Sequence, residues 1–549
     1  MSHDHSYDHA YDTHAGESQV RDASLAIGDG QGKSIPPVNW QLPALACLLA
    51  TVTFLAGERI PFNNGLGWDG AIYAQWARDF HREAFETGID AYRIQRILPA
   101  AITHYSLRAL GMTLSDKHII NCFAAINIIS ITLAAMFWVR IADRLSISAR
   151  GKWLGFTALF LNYAVLKNTS FNPVLTDMPA YAVSAGMVWA YLAQRQLALF
   201  VLTAIGAFVW PTLIYIGAIL ILFPRDPARD ERASPAPFHL NLIGAGLFTL
   251  YIGLGIYYVL DRLSGPVFGF LEPIGPVIRL SMAVALAYVF FGSRLLLNNA
   301  ALFDFRRWLS WSRLGTLVAL VAMVVVIKVF QAALTDRPGY MAFSVYVLIV
   351  GVGAVAKPGV SFVAHIAYFG PWLLLAAMLW RPICRIIHQH GVGLTLAVLA
   401  GFLHGLDSES RHEIYLIPML APLFVKATEA LRWKTSSYVI VAAVSVFASK
   451  IWLNIDGIFL DNAFLYPDQL YWMHHGPFMG TAMYLAHLAG AIGAGILFYV
   501  VCFQTRDSLC VEQPGRAMTL AQAPALPDYT NKVTNSDAPF RSAFATREA

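Results

Sequence analysis

Asp69 belongs to the stretch GWDGAIY, residues 67–73, which follows directly after the first apolar run of the chain. A carboxylate can take a proton from a hydroxyl group while that hydroxyl attacks another molecule. Arg93 and Arg96 follow in the same loop, and the forked guanidinium group binds a phosphate through two parallel hydrogen bonds. One acid and several arginines are therefore the residue types that a hydroxyl needs in order to displace a phosphate.

The composition places these residues in a membrane protein. The 549-residue chain is 57% hydrophobic and only 13% charged, whereas charged residues make up about 25% of a typical soluble domain. Its mean hydropathy is +0.53. Apolar runs recur along nearly the whole length, without the alternating pattern of a membrane β-barrel. The sequence predicts an all-α polytopic membrane protein with about 12–14 membrane helices, since each crossing needs about 20 residues.

The two ends of the chain are polar. Residues 1–41 are rich in His and Asp, and residues 504–549 are rich in Pro and Ala; both are predicted to be disordered cytoplasmic tails. Metal binding by the His tract is the alternative. The net charge of +5 comes mainly from short loops and does not indicate nucleic-acid binding, and none of the five cysteines has CxxC spacing, which argues against a metal knuckle.

Basic loops orient the predicted spans, because cytoplasmic loops carry an excess of Lys and Arg. The basic loops are residues 140–152, 225–232, 306–313, 381–385 and 426–434. A cytoplasmic position for all of them requires residues 197–223 to fold into two helices at Trp210-Pro211, where proline breaks the backbone ladder. The same requirement makes residues 341–356 re-entrant or interfacial. Among the other apolar runs, residues 152–167 and 362–380 are each predicted to form one span. Both termini then face the cytoplasm, as expected for a multi-pass protein of a bacterial inner membrane.

The informative polar residues gather on the outer, periplasmic side of the predicted membrane domain, residues 42–503. The first outer loop, residues 58–118, is the longest. Acids, arginines and histidines of the outer loops include Glu58, Asp69, Arg93, Arg96, Asp177, Asp407, Glu409, Arg411, His412, Asp456, Asp461, Asp468, His474 and His475. The spans themselves are nearly free of charge, whereas an ion-coupled transporter keeps ionisable groups near the midplane. This distribution favours an active site at the outer surface.

The first outer loop also has a helical pattern. Its apolar residues Ile72, Tyr73, Trp76 and Phe80 share one face, and charged residues occupy the opposite face. Such a helix is expected to lie in the plane of the membrane interface. A second candidate interfacial helix follows in the segment YRIQRILPAAITHYSLRAL.

Several short motifs occur in an informative order along the chain. They are GWDGAIYAQWARDF, YRIQRILPA, TDMPAYAV, the proline-centred hairpin and SRHEIYLIPMLAP. In this order they resemble the membrane glycosyltransferases of the GT-C fold class, over about residues 42–503. The tip of the hairpin in related transferases often carries Arg or Glu, but here it reads VWPT. Trp210 supplies no charge, so a charge needed at the tip must come from elsewhere or be absent.

The resemblance implies a hexosyl- or pentosyltransferase that uses a polyprenyl-phosphate sugar donor. The acceptor would be an envelope glycan, a lipid or a protein on the periplasmic side. By the same resemblance Asp69 is the expected general base. The expected substrate-binding residues are Arg93, Arg96, Asp177, Arg411, His412, Lys357, Tyr73 and Glu58. No metal ligand is assigned, although Mg²⁺ or Mn²⁺ would fit if Asp69 and Asp177 converge.

Five of the candidate residues also have a simpler explanation. Asp69 and Asp177 would serve as helix caps, Arg93 and Arg96 as interfacial arginines that extend toward water, and Glu58 as the end of a helix. Three other functions compete with sugar transfer. They are a transporter or flippase, a membrane acyl- or phosphotransferase, and a non-catalytic assembly partner in polysaccharide export. The second is disfavoured because the sequence shows no closely spaced His-Asp pair at the edge of a span.

Overall fold

The computed structural model describes residues 40–230, 234–262, 277–304, 311–335, 350–431, 433–455 and 470–504. Across these residues the secondary structure consists of helices and one isolated β-bridge, between Glu409 and His475. Some predictions fall outside the described residues. They concern nearly all of the two tails, residues 341–349 of the re-entrant segment, Arg232, Asp456, Asp461 and Asp468.

The longer helices of the described chain are, in order, α1 (Gln41–Ala56), α2 (Trp68–Arg78), α3 (Leu98–Ala109), α4 (Asp116–Arg144), α5 (Ala149–Phe160), α6 (Asp177–Leu192), α7 (Gln196–Gly206), α8 (Leu213–Leu222), α9 (Phe238–Arg262), α10 (Ile278–Leu296), α11 (Trp311–Ala333), α12 (Val360–Phe369), α13 (Trp372–Met378), α14 (Trp380–Gln389), α15 (Val392–His404), α16 (Ile417–Thr428), α17 (Thr435–Ala448) and α18 (Thr481–Phe503). Helix α4 packs against both α6 and α1.

Five of these helices, α4, α9, α10, α11 and α18, are long and apolar enough to cross a membrane, and shorter apolar helices accompany them. In each of α9, α11 and α18, only 17% of an apolar stretch of 18 residues is buried inside the protein. Apolar side chains that the protein leaves uncovered to this extent are stable against lipid tails but not against water. The prediction of an all-α membrane protein is confirmed at this level.

The proline-centred hairpin is confirmed. Helix α7 ends at Gly206 and α8 begins at Leu213, so the chain reverses around Trp210-Pro211. The tip is fastened on two sides. The backbone N–H of Leu98 donates to the carbonyl oxygen of Phe208 (3.0 Å), and the side-chain amide of Gln331 donates to the carbonyl oxygen of Ala207 (2.9 Å). The hairpin tip therefore lies at the same end of the fold as the first loop.

Two predicted spans are shorter than expected. The segment 362–380 was expected to be one helix, but it divides at Gly370-Pro371 into α12 and α13. Gly370 has a φ of +98°, which L-residues with side chains avoid, and proline cannot donate in a helical ladder. The predicted span 152–167 also ends early, since α5 stops at Phe160.

Helix α2 forms where the apolar spacing predicts it, and other parts of the protein cover its apolar face; its position in the interface plane stays a prediction. Tyr73 and Trp76 are buried, and they belong to a core cluster shared with α3 and the start of α4. A nitrogen of the His104 ring on α3 bonds the carbonyl oxygen of Ala77 (2.8 Å). Apolar spacing identifies the face that is covered but not the partner that covers it, and here the partner is protein.

Close packing of α5 against α4 gives a test of the fold. A Cβ atom added to Gly155 would lie 2.0 Å from the buried ring of Trp138. We therefore expect Gly155→Ala to lower stability by about 1–3 kcal/mol through overpacking, seen as a lower Tm of the detergent-solubilised protein. Gly246→Ala is the matched control, because an added Cβ there meets nothing within 4 Å. Equal Tm values for the two variants would contradict the α4–α5 packing.

Candidate functional site

Arg411 joins two acids that are far apart in the sequence. It lies on a 3₁₀ turn, Ser410–Glu413, between α15 and α16. Its Nη1 donates to Oδ2 of Asp69 (3.2 Å), and its Nε donates to Oδ1 of Asp177 (3.4 Å). The Arg411 side chain is only 13% exposed. Three residues predicted to share a site are thus brought into direct contact.

The carboxylates of Asp69 and Asp177 bond arginine instead of capping their helices. Asp69 lies in the first turn of α2, whose N-cap is Gly67, and Asp177 is the first residue of α6. Neither helix start has a side-chain capping hydrogen bond. Asp177 is almost fully buried, whereas the side chain of Asp69 is 31% exposed. Asp69 is therefore the more accessible acid of this pair.

Arginines keep Asp69 ionised. Burial raises the pKa of its carboxyl group, but the positive charges of Arg411, Arg96 and Arg93 outweigh burial and hold the pKa below its usual value. A carboxylate whose pKa is lower in the folded than in the unfolded protein stabilises the fold at pH values above its unfolded-state pKa. This stabilisation is lost as the pH falls through its folded-state pKa. Asp69 is accordingly a carboxylate at neutral pH, and a weaker base than an unperturbed aspartate.

Arg96 is a buried residue and not an interfacial arginine that reaches for water. It is 3% exposed, and its guanidinium carbon lies 4.0 Å from the centre of the Trp210 ring. It donates to the hydroxyl of Tyr92 (3.0 Å). Burial raises the pKa of Tyr73 to about 12, although the positive charge of Arg96 and a hydrogen bond with Arg96 act to lower it. Trp210 at the uncharged hairpin tip thus packs against the charged side chain of Arg96 from the first loop.

Arg93 is the third arginine near Asp69. Its Nη2 lies 3.9 Å from Oδ1 of Asp69, and its Nη1 donates to Oδ2 of Asp90 (3.2 Å). The backbone N–H of Arg93 also donates to Oδ1 of Asp90 (2.9 Å). Asp90, which the sequence did not single out, therefore fixes both the backbone and the side chain of Arg93.

A His-Asp pair stands next to Arg411. Nδ1 of His412 lies 2.7 Å from Oδ2 of Asp407. For Asp407, burial raises the pKa, but the neighbouring His412 lowers it to about 2. For His412, burial lowers the pKa, but Glu409 and Asp407 raise it above its usual value. The expectation that no close His-Asp pair occurs at a span edge is wrong, because the pair forms across an irregular turn and not at helical spacing.

Glu409 is a second accessible acid that was not among the predicted site residues. Its Oε1 lies 3.7 Å from Nε2 of His412, 3.9 Å from Nδ1 of His475 and 4.0 Å from Nη1 of Arg411. Burial lowers the pKa of His475 to about 4, so this ring is neutral. In the sequence, the position of Glu409 two residues before Arg411 was the only sign that it belongs to the site, because its bridge to His475 joins distant segments.

Two predicted substrate-binding residues have other partners. Glu58 accepts a hydrogen bond from Nζ of Lys167 (2.7 Å) and another from the backbone N–H of Ile455 (2.7 Å). Nζ of Lys357 donates to the carbonyl oxygen of Met479 (2.9 Å). None of these contacts involves Asp69 or Arg411, and they hold neighbouring segments together.

A largely apolar groove of about 590 Å³ begins at the same 3₁₀ turn. It is lined mostly by side chains of α10, α12, α13, α15 and α16, among them Val284, Ala287, Phe291, Phe369, Leu373, Phe402 and Leu420. Glu413 and His365 also line it, and His365 bonds Ser410 (3.0 Å). Phe291 is 62% exposed, so the groove opens to the side of the protein. The turn carries Arg411 on the polar site and Glu413 on the groove.

The charges of the site are balanced by arginine. Asp69 and Asp177 do converge, but they converge on the guanidinium group of Arg411. Across the described residues, no group of three or more His, Cys, Asp or Glu side chains is arranged to hold a metal ion. The compensation that a divalent cation would supply to this pair of acids is thus already present as a fixed cation.

The chain matches no protein-family model, no curated protein and no solved structure.

The buried ion pair between Arg411 and Asp177 predicts a large stability effect. Asp177→Asn leaves part of a buried positive charge uncompensated, which typically costs about 3–5 kcal/mol. We expect a marked fall in Tm in detergent. Asp79→Asn is the control, since Asp79 and its partner Arg82 are 47% and 58% exposed and exposed pairs contribute about 0–1 kcal/mol. A Tm for Asp177→Asn as high as that of Asp79→Asn would be incompatible with the bridging role of Arg411.

Proposed function

We propose that this protein is an integral membrane glycosyltransferase with GT-C architecture, about 12–14 spans and both termini in the cytoplasm. It transfers a sugar from a polyprenyl-phosphate donor to a hydroxyl of a glycan, lipid or protein on the periplasmic side of a bacterial inner membrane. One observation carries the proposal. Asp69, an accessible carboxylate, is bonded by Arg411, and Arg411 lies on the turn at which an apolar groove begins.

The groove suits a lipid chain. Its volume of about 590 Å³ falls within the range of about 300–1,000 Å³ typical of small-molecule sites. Its lateral opening at Phe291 allows a chain to enter from the bilayer. A chain seated there brings its head group to the turn Ser410–Glu413, next to the arginines.

The polar site suits attack by a hydroxyl. As the bond between the acceptor oxygen and the anomeric carbon forms, Asp69 takes the hydroxyl proton. The bond between that carbon and the phosphate oxygen breaks, and Arg411, Arg93 and Arg96 stabilise the departing anion. Asp177 positions Arg411, and Tyr73 positions Arg96. Because the pKa of Asp69 is low, its proton transfer belongs late in the reaction, when the acceptor oxygen is already acidic.

A phosphotransferase is the second candidate, because the His412–Asp407 pair provides an oriented imidazole. The two reactions break different bonds. Sugar transfer breaks the bond from carbon to oxygen and leaves the phosphorus on the lipid, whereas phosphotransfer moves the phosphorus with the sugar. A transporter is less well supported, since the polar cluster lies among loops and helix ends and not within the long apolar helices.

A membrane-vesicle assay with a doubly labelled donor tests the proposal. A series of polyprenyl-phosphate sugars carries ¹⁴C in the sugar and ³²P in the phosphate. We expect ¹⁴C alone in the acceptor fraction, and Asp69→Asn to lower the rate by about 10²–10⁴-fold. Asp79→Asn, in the same loop but 47% exposed, is the control and should retain the rate.

Three outcomes of this assay contradict the proposal in different ways. Equal rates for Asp69→Asn and wild type remove Asp69 from the chemistry. Transfer of ³²P together with ¹⁴C indicates a phosphotransferase. No transfer from any donor in the series, combined with loss of surface polysaccharide when the protein is deleted, indicates an assembly partner.

The groove predicts a dependence on donor chain length. Ala287 lines the groove from α10, whereas Ala283 is exposed on the same helix and is not among the lining residues. We expect Ala287→Trp to raise KM for a long-chain donor roughly tenfold, the low end of what pocket contacts contribute, and to leave KM for a short-chain donor unchanged. Ala283→Trp should leave both values unchanged. An equal effect of Ala287→Trp on both donors would show that the chain does not occupy the groove.

A further inference from the structure

His412 lies where the groove and the arginine cluster meet. It belongs to the same 3₁₀ turn as Arg411 and Glu413. Its ring centre is 6.4 Å from that of Trp210, the residue on which the guanidinium of Arg96 is stacked. A phosphate held by these arginines at the head of the groove is therefore within reach of the imidazole.

Asp407 fixes the orientation of this imidazole. Its Oδ2 lies 2.7 Å from Nδ1 of His412, and its Oδ1 accepts the backbone N–H of Glu409 (2.9 Å). The carboxylate is an acceptor only, so Nδ1 carries a proton and Nε2 is the nitrogen that exchanges one. Nε2 lies 3.7 Å from Oε1 of Glu409.

We propose that His412 is the acid of the transfer reaction and donates its Nε2 proton to the phosphate oxygen that leaves the sugar. This assignment rests on the proposed sugar transfer and extends it, because it gives the departing lipid phosphate a proton donor. Asp407 is the positioning residue that holds the ring.

The protons and electrons of the step balance. The acceptor oxygen bonds to the anomeric carbon and gives its proton to Asp69. The electron pair of the broken carbon–oxygen bond goes to the phosphate oxygen, which takes the proton of His412. The lipid leaves as a phosphate monoester with one negative charge, and His412 becomes neutral. Loss of a proton from Asp69 and gain of one by His412 restore the site.

The surroundings of His412 favour its protonated form. Burial lowers its pKa, as does Arg96 of the first loop, but Glu409 and Asp407 on its own loop outweigh both and raise the pKa above its usual value. His475 faces the same Glu409 carboxylate as a neutral ring, and Trp210 packs nearby without charge. The second pKa of a phosphate monoester is about 6, and an imidazolium that titrates near the working pH is a suitable donor to it. The acid form exists below the pKa of His412, and the rate should fall as the pH rises through it.

The experiment measures kcat and donor KM against pH for wild type, His412→Gln, Asp407→Asn and Glu409→Gln in vesicles. We expect wild-type kcat to fall at high pH. His412→Gln should lower kcat about 10²-fold, leave donor KM nearly unchanged and abolish the decline at high pH. Asp407→Asn and Glu409→Gln should move that decline to lower pH, because each removes a negative charge that stabilises the imidazolium. His118→Gln, which alters a ring bonded to Thr113, should behave as wild type.

Each outcome decides the assignment. If His412→Gln keeps wild-type kcat and its decline at high pH while Asp69→Asn is inactive, His412 is not the acid and sugar transfer stands. If His412→Gln fails to fold, Glu409→Gln and Asp407→Asn replace it, and an unshifted pH profile in both overturns the assignment. If the wild type transfers no sugar, the assignment falls together with the proposed function.

Discussion

The bridge made by Arg411 between Asp69 and Asp177 is the interaction on which the polar end of this protein depends. One guanidinium group bonds the start of α2 and the start of α6, which are 342 and 234 residues away in the sequence. A buried cation with both partners in place is tolerated, and one with a partner removed is strongly destabilising. The same contact therefore ties three segments together and fixes the accessible carboxylate in position.

The neighbouring charges divide the site into two kinds of titrating group. Three arginines lower the pKa of Asp69, while Glu409 and Asp407 raise the pKa of His412. Groups whose environments push their pKa values in opposite directions are the usual acid and base of an enzyme site. Both environments meet at Arg411, since Glu409 approaches the same guanidinium group as Asp69.

The sequence predicted those features that depend on local chemistry. Proline marked the hairpin at Trp210-Pro211, apolar spacing marked α2, and the charge of the loops brought Asp69 and Arg411 to one side. It did not predict that Trp210 covers Arg96, or that Glu409 joins the site, because these contacts form only when distant segments pack. The break at Gly370-Pro371 was readable from proline and glycine chemistry and was missed within a strongly apolar run.

The geometry of a 3₁₀ turn explains how one short segment serves both the groove and the polar site. With three residues per turn, side chains at i and i+3 eclipse each other. Ser410 and Glu413 stand in this relation, and Ser410 bonds His365, which lines the groove together with Glu413. Arg411 and His412 then project from the other sides of the turn, toward Asp69 and Asp407. An α-helical turn would spread these four side chains differently, so the tighter turn is what joins an apolar groove to a charged site within four residues.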